Sequence, residues 1–254
     1  MLSGLVRLEN INYIQKTVDD LCIESSHDVF VYEDKRVLNF LCIDNIVNWI
    51  QQEIQPKYET LTMIGFSNGG VIASHVMYNL ENTTGKSDFM SKTLITVDSM
   101  NDMFDFLETY ENNKMYRQDI MGCYMATYIS NFRHSHLHDR IDLLDIFKNT
   151  TLETALDYFR RMYDTEREHL RKITTREYKL RNCKIVNIHS HHDPIIQRYH
   201  NKKQYKRLMR AIDPDLRPEV KNISFPGITH CTQMFAEDKC VHFAKLLREH
   251  LCKT

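Results

Sequence analysis

The sequence predicts an α/β protein built on a mainly parallel sheet of about five strands flanked by helices, with an insertion near its middle. Three observations carry this. Short apolar and β-branched runs alternate along the chain with stretches of helical periodicity. The connections between them are short, which implies right-handed crossovers and parallel strands. The alternation then lapses between Ser99 and Asn182 and resumes at Lys184, as in one domain that carries an insertion. A chain of 254 residues suits that organisation.

The elements follow in order. Leu8, Ile11, Ile14, Val18 and Leu21 share one face and predict a helix from about Leu8 to Cys22. After the polar break Ser25-Ser26-His27, the run Asp28-Val29-Phe30-Val31-Tyr32 reads as a first strand. A second helix spans roughly Leu38 to Gln55, with Ile43, Ile46, Val47, Ile50 and Ile54 as its stripe, and Pro56 ends it. Thr60 to Phe66 reads as a buried strand, Val71 to Leu80 as the apolar helix behind it, and Thr93 to Val97 as a third strand. Two late strands, Lys184 to Ile188 and Val220 to Phe225, are separated by a basic helix. A last helix from Asp238 to Leu251 turns Cys240, Ala244, Leu247 and Leu251 inward. The insertion is rich in Met, Tyr, Phe and Arg at helical spacing, for example Leu152, Leu156, Phe159, Tyr163 and Leu170. It reads as a helical cap over the strand ends, so that the core comprises 1–98 and 183–254 and the cap 99–182.

Composition excludes several classes. With 42% hydrophobic and 26% charged residues the chain is neither disordered nor collagen-like. A formal net charge of -1 and a pI near 6.9 give no bulk electrostatic reason to bind nucleic acid or an anionic membrane. No apolar run reaches the roughly 18 residues of an integral membrane segment, and Met1 to Arg7 lacks the order of a signal peptide. Seven cysteines without a C-x-x-C argue for reduced thiols. The expectation is an unexported, cytoplasmic protein, with the nucleus as the other reducing compartment. On that expectation the glycosylation-like triplets at Asn82, Asn149 and Asn222 are chance matches.

The sharpest feature is Gly65-Phe66-Ser67-Asn68-Gly69-Gly70, a G-x-S-x-G between a predicted strand and a predicted helix. That spacing suits a serine in a strained reversal of the chain, because bulky residues two positions either side would collide. The Ser67 hydroxyl would project from the sheet end, with the helix N-terminus aiming amides at an oxygen that becomes negative. Such a serine needs a histidine to take its proton and an acid to hold the histidine. In chain order Ser, acid, His, Asp193 follows the fourth predicted strand and His230 the fifth. Both lie where the sites of open parallel sheets gather.

With these three stretches, Gly65 to Gly70, His192-Asp193-Pro194-Ile195-Ile196 and Gly227-Ile228-Thr229-His230, the chain resembles the α/β-hydrolase superfamily. Its elbow is closest to the carboxylesterase and acyl-protein thioesterase group. The resemblance covers about Val29 to Val97 and Cys183 to Leu251. It implies a serine hydrolase with Ser67 as nucleophile, Asp193 as acid, His230 as base and the Asn68 amide as an oxyanion donor, acting on a small-molecule or lipid ester or thioester. No metal or organic cofactor is implied. The family has several strands before its first helix, the last leading into a loop that supplies the second oxyanion amide. Here the start is shortened, with Ser3-Gly4-Leu5 as the remnant of that loop and Leu5 N–H as the donor. The shortened start also leaves an apolar edge at Asp28 to Tyr32, to be shielded by the N-terminal residues or by a second copy in a homodimer.

Several rivals stand beside this reading. Asp98, at the end of the third strand, is the runner-up acid. His189-Ser190-His191-His192-Asp193 has the look of an H-x-H-x-D zinc motif, and His134, His136 and His138 form a second histidine cluster. Arg198, Lys202, Lys203, Lys206, Arg207 and Arg210 make a basic helix that is either a solvated face or an anion surface. The non-enzymatic alternative is a hydrolase-fold protein that binds a lipid or a protein without turnover.

Overall fold

The computed structural model describes residues 28–30, 43–82, 89–99, 112, 180–181, 183–193, 196, 198–211, 219–226, 230 and 237–251. Among these, the chain forms helix α1 (Ile43–Trp49), strand β1 (Thr60–Phe66), helix α2 (Asn68–Asn82), strands β2 (Ser91–Val97) and β3 (Cys183–Ser190), helix α3 (Arg198–Ala211), strand β4 (Val220–Phe225) and helix α4 (Glu237–His250). All three strand pairs are parallel, in the order β1-β2-β3-β4.

The sheet is buried on both faces, which is why β2 is solidly buried from Lys92 to Val97 rather than alternating between apolar and polar. On one face Ile64, Phe66, Ile95, Val97, Val186, Ile188 and Phe225 pack against Phe243, Leu247 and Leu251, so α4 covers this side. The spacing of Phe243, Leu247 and Leu251 is that of one helical stripe. The Phe66 and Phe243 rings lie 5.6 Å apart. The opposite face carries α2, which packs on β1 and β2, and α3, which packs on β3. Its middle row is polar. Thr96 Oγ1 donates to Asn187 Oδ1 at 2.8 Å, and Asn187 Nδ2 donates to Asn201 of α3 at 3.0 Å and to Asn222 at 2.9 Å. At the start of β2 the buried Lys92 ammonium is paired with Glu81 near the end of α2, as a buried charge requires.

In α1 the stripe read from the sequence is the buried one: Ile43, Ile46 and Val47 continue into Ile50 and Ile54. The spacing did not reveal that the last turn widens to a π-helix over Ile50–Ile54, closed by Gln55 N–H on the Ile50 carbonyl at 2.8 Å.

The expected five strands become four among the described residues. Asp28, Val29 and Phe30 are not part of the sheet. Val29 packs against the core cluster, Phe30 lies edge-on to Trp49 and Tyr58 at 5.7 and 5.9 Å, and the Tyr58 hydroxyl bonds to Asp28. The apolar character of Val29 and Phe30 is thus used in side-chain packing, a use that strand propensity does not distinguish from pairing. Val31 and Tyr32, the predicted helix from Leu8 to Cys22, the beginning of the second helix at Leu38 and most of 99–182 lie outside the described residues.

Candidate active site

The site forms at the carboxyl ends of the strands, each of which delivers one group. Ser67 directly follows β1 and has φ 53, a left-handed backbone rare for a residue with a Cβ. The turn is pinned by Ser67 N–H on the Val97 carbonyl at 2.8 Å and by Gly70 N–H on the Ser67 carbonyl at 3.0 Å. Its tightness explains the glycines. A Cβ on Gly65 would meet the Gly69 carbonyl and come within 2.6 Å of Gly70 Cα, and one on Gly70 would come within 2.6 Å of Ser99 Cβ. Asn68 is the first residue of α2, so its amide is among those a helix leaves without an internal partner. Leu5 lies outside the described residues.

Asp193 follows β3 and His230 follows β4. Asp193 N–H bonds to the Ser190 carbonyl at 3.3 Å, and Asp193 Oδ1 accepts Ile196 N–H at 2.8 Å. Asp193 Oδ2 is 2.7 Å from His230 Nδ1, and His230 Nε2 is 2.8 Å from Ser67 Oγ. A carboxylate only accepts, so Nδ1 carries the proton and Nε2 is the acceptor for the Ser67 hydroxyl. Asp193 and His230 are buried and Ser67 is half-buried. Of the five residues read from the sequence, the structure thus brings Ser67, Asp193 and His230 together, with the backbone of Asn68 next to Ser67.

A fourth residue belongs to the same cluster. Asp98 directly follows β2, is completely buried and has φ 45. Its Oδ1 accepts Ser190 N–H and its Oδ2 accepts Ser190 Oγ–H at 2.7 Å. Burial, and then the negative charge of Asp193, push the Asp98 carboxyl up from 3.8 to about 6, against the pull of His230 and the Ser190 hydrogen bonds. Asp98, Asp193 and His230 each offer an atom within 4.8 Å of the others. In this arrangement His230 donates its Nδ1–H to Asp193 and turns its Nε2 lone pair toward the Ser67 hydroxyl.

His191 and His192 are exposed, with rings 4.5 Å apart, and His191 Nδ1 meets Ser224 Oγ at 3.2 Å; neither they nor His189 join the ligand-type cluster. On α3, Lys202, Lys206 and Arg210 are exposed. The cluster around His134 lies outside the described residues.

A parallel sheet, a strained serine turn between a strand and a helix, and an acid and a histidine after the next strands in that chain order together make an α/β-hydrolase architecture. No family model matches the chain, and no curated protein does. Among solved structures it is similar to an acylaminoacyl peptidase of Pyrococcus horikoshii, at 15% identity and a TM-score of 0.43 over 82% of this chain and 26% of that one. It is similar also to a type II thioesterase from the borrelidin biosynthetic cluster, at 14% and 0.41 over 82% and 70%. A Pyrococcus furiosus esterase gives 12% and 0.49 over 98% and 80%. The chain thus spans about a quarter of the length of the peptidase. Likeness at this level says nothing of what this chain binds or cleaves. No helix among the described residues is long and apolar enough to cross a membrane.

Proposed function

We propose that the chain is a serine hydrolase that cleaves a carboxylic ester or thioester through an acyl-enzyme on Ser67. The observation that carries this reading is the continuous relay from Ser67 Oγ to His230 Nε2 at 2.8 Å and from His230 Nδ1 to Asp193 Oδ2 at 2.7 Å. The chemistry follows from the atoms. His230 Nε2 takes the Ser67 proton as Oγ attacks the substrate carbonyl, and the Asn68 amide is the donor to the oxygen that becomes negative. Asp193 holds the Nδ1–H tautomer and stabilises the imidazolium that forms. As the tetrahedral adduct collapses, His230 gives its proton to the leaving alcohol or thiol. The acyl-Ser67 left behind is attacked by a water that His230 deprotonates in turn, and His230 returns that proton to Ser67 Oγ as the carboxylic acid leaves.

The test is a fluorophosphonate probe with intact-mass readout, since its reaction needs the nucleophile, the base and the oxyanion donors together. One adduct is expected, on Ser67, and none on Ser67→Ala. His230→Ala should slow labelling by roughly 10⁴–10⁶-fold, as when triad members act as a unit, with the fold intact by circular dichroism. A folded wild type that takes no label would leave the non-enzymatic reading, a binder of a lipid or protein on the same fold.

A further inference from the structure

Asp98 is where the structure departs most from what a nucleophile, a base and a single acid require. The residue is buried completely, in a left-handed conformation, at the end of β2, and its carboxylate shares a buried cluster with a second carboxylate and the imidazole. Burying two acids side by side is unfavourable, and left-handed backbone persists only where the surroundings fix it. Here the fixing contacts are specific: both donors of Ser190, its N–H and its hydroxyl, point at Asp98. Ser190 is the last residue of β3, and its carbonyl accepts the N–H of Asp193. A continuous chain therefore runs from Asp98 through Ser190 to Asp193, His230 and Ser67. The imidazole nitrogen that an acid must hold is already taken by Asp193 at 2.7 Å, so Asp98 does not stand in that position.

Resting on the triad reading above, we infer that Asp98 is a positioning residue: by clamping Ser190 it fixes the turn that presents Asp193 to His230. A triad acid displaced by a fraction of an ångström no longer fixes the imidazole toward Ser67. Shifts approaching 1 Å cost up to about a hundredfold in rate. Because the link acts through hydrogen bonds, an asparagine can keep it, its carbonyl accepting Ser190 N–H and its amide donating to Ser190 Oγ.

The experiment compares fluorophosphonate labelling rates of wild type, Asp98→Ala and Asp98→Asn, each also in an Asp193→Asn background. Asp98→Ala should label about ten- to a hundredfold more slowly, Asp98→Asn within about threefold of wild type, and Asp98→Ala should have no further effect once Asp193 is Asn, as expected of residues acting as a unit. A wild-type rate in Asp98→Ala would overturn the inference. So would an equal loss in Asp98→Asn, which would make the charge decisive, or an equal loss in both backgrounds, which would make Asp98 an independent acid. If Asp98→Ala does not fold, Ser190→Ala tests the same link: slower labelling that vanishes in the Asp193→Asn background supports it, and wild-type labelling overturns it. A second readout needs no turnover. The far-downfield Nδ1–H resonance of His230, assigned by its loss in Asp193→Asn, should persist in Asp98→Asn and shift or broaden in Asp98→Ala. An unchanged resonance in Asp98→Ala would overturn the positioning role even if the probe fails to label wild type, so failure of the hydrolase reading and failure of this one are told apart.

Discussion

Gly65 and Asp98 show how single residues set the site. At Gly65 the added Cβ of an alanine would meet backbone, the Gly69 carbonyl and Gly70 Cα, and backbone at the start of a buried helix has little room to give. Gly65→Ala should therefore cost about 2–4 kcal/mol and abolish labelling of Ser67; denaturant unfolding measures the first and the probe the second. Asp98 makes a pH signature. Its folded pKa of about 6 lies above its ordinary 3.8, so between these values the native state holds a proton that the unfolded state has lost. The contribution of Asp98 to stability should fall as pH rises from about 4 to about 6, with no further change from this group above that. Asp98→Asn cannot ionise and should gain on wild type over that window, by on the order of 1–3 kcal/mol. Urea unfolding at pH 4.5 and 7.5 checks this, and a stability difference independent of pH would contradict it. Ser67, Asp193 and His230 were legible as candidates in the sequence because each comes soon after a strand and sits in a recognisable string. The clamp on Ser190 was not, since Asp98 and Ser190 meet only across the sheet, 92 positions apart in the chain.

At the scale of elements, apolar stripes were the reliable signal and polar ones the unreliable one. The spacing of Ile43, Ile46, Val47, Ile50 and Ile54 marks the buried face of one helix, and that of Cys240, Ala244, Leu247 and Leu251 another. Inside α3, however, a sequence of charged and amide residues hides two that are buried, Asn201 and Gln204. Asn201 belongs to the hydrogen-bonded row centred on Asn187, which pattern reading cannot foresee because its partners lie on two other strands and a helix. Gln204 is different. It is fully buried, and among the described residues neither its carbonyl nor its amide nitrogen has a hydrogen-bond partner. A buried amide without a partner loses its hydration for nothing in return. Gln204→Met, similar in length and volume, should raise stability by about 1 kcal/mol, seen as a higher denaturant midpoint at unchanged slope. A loss of stability would mean that the amide is bonded in solution.

Among the described residues the sheet has two outer strands, and they are built differently. β4 is half exposed and carries Lys221 and Asn222, a polar edge of the kind that discourages pairing. β1 carries no charge from Thr60 to Phe66 and is buried from Met63 onward. The sequence showed β1 as a buried strand but placed a further strand outside it, at Asp28 to Tyr32, because an apolar β-branched run says only that side chains will be buried. The described part of that run packs by its side chains instead. Which β1 amides face outward follows from the register. Phe66 is aligned with Val97, and the next amide, Ser67 N–H, bonds to the Val97 carbonyl. In a parallel strand alternate residues point their backbone groups to opposite sides, so Leu61, Met63 and Gly65 face β2, and Thr62, Ile64 and Phe66 face away from it. An open apolar edge is a template for aggregation, and the strand that carries the strained Ser67 turn is a poor place for fraying. The expectation is therefore that this edge is covered and that the amides of Ile64 and Phe66 exchange with solvent as slowly as those of Met63 and Gly65. Hydrogen exchange resolved by residue measures this, with light scattering at micromolar concentration to say what provides the cover. Slow exchange in a monomer assigns it to another stretch of the same chain, and slow exchange that depends on concentration in a dimer assigns it to a second copy. Fast exchange confined to Thr62, Ile64 and Phe66 would show the edge to be open and the prediction wrong.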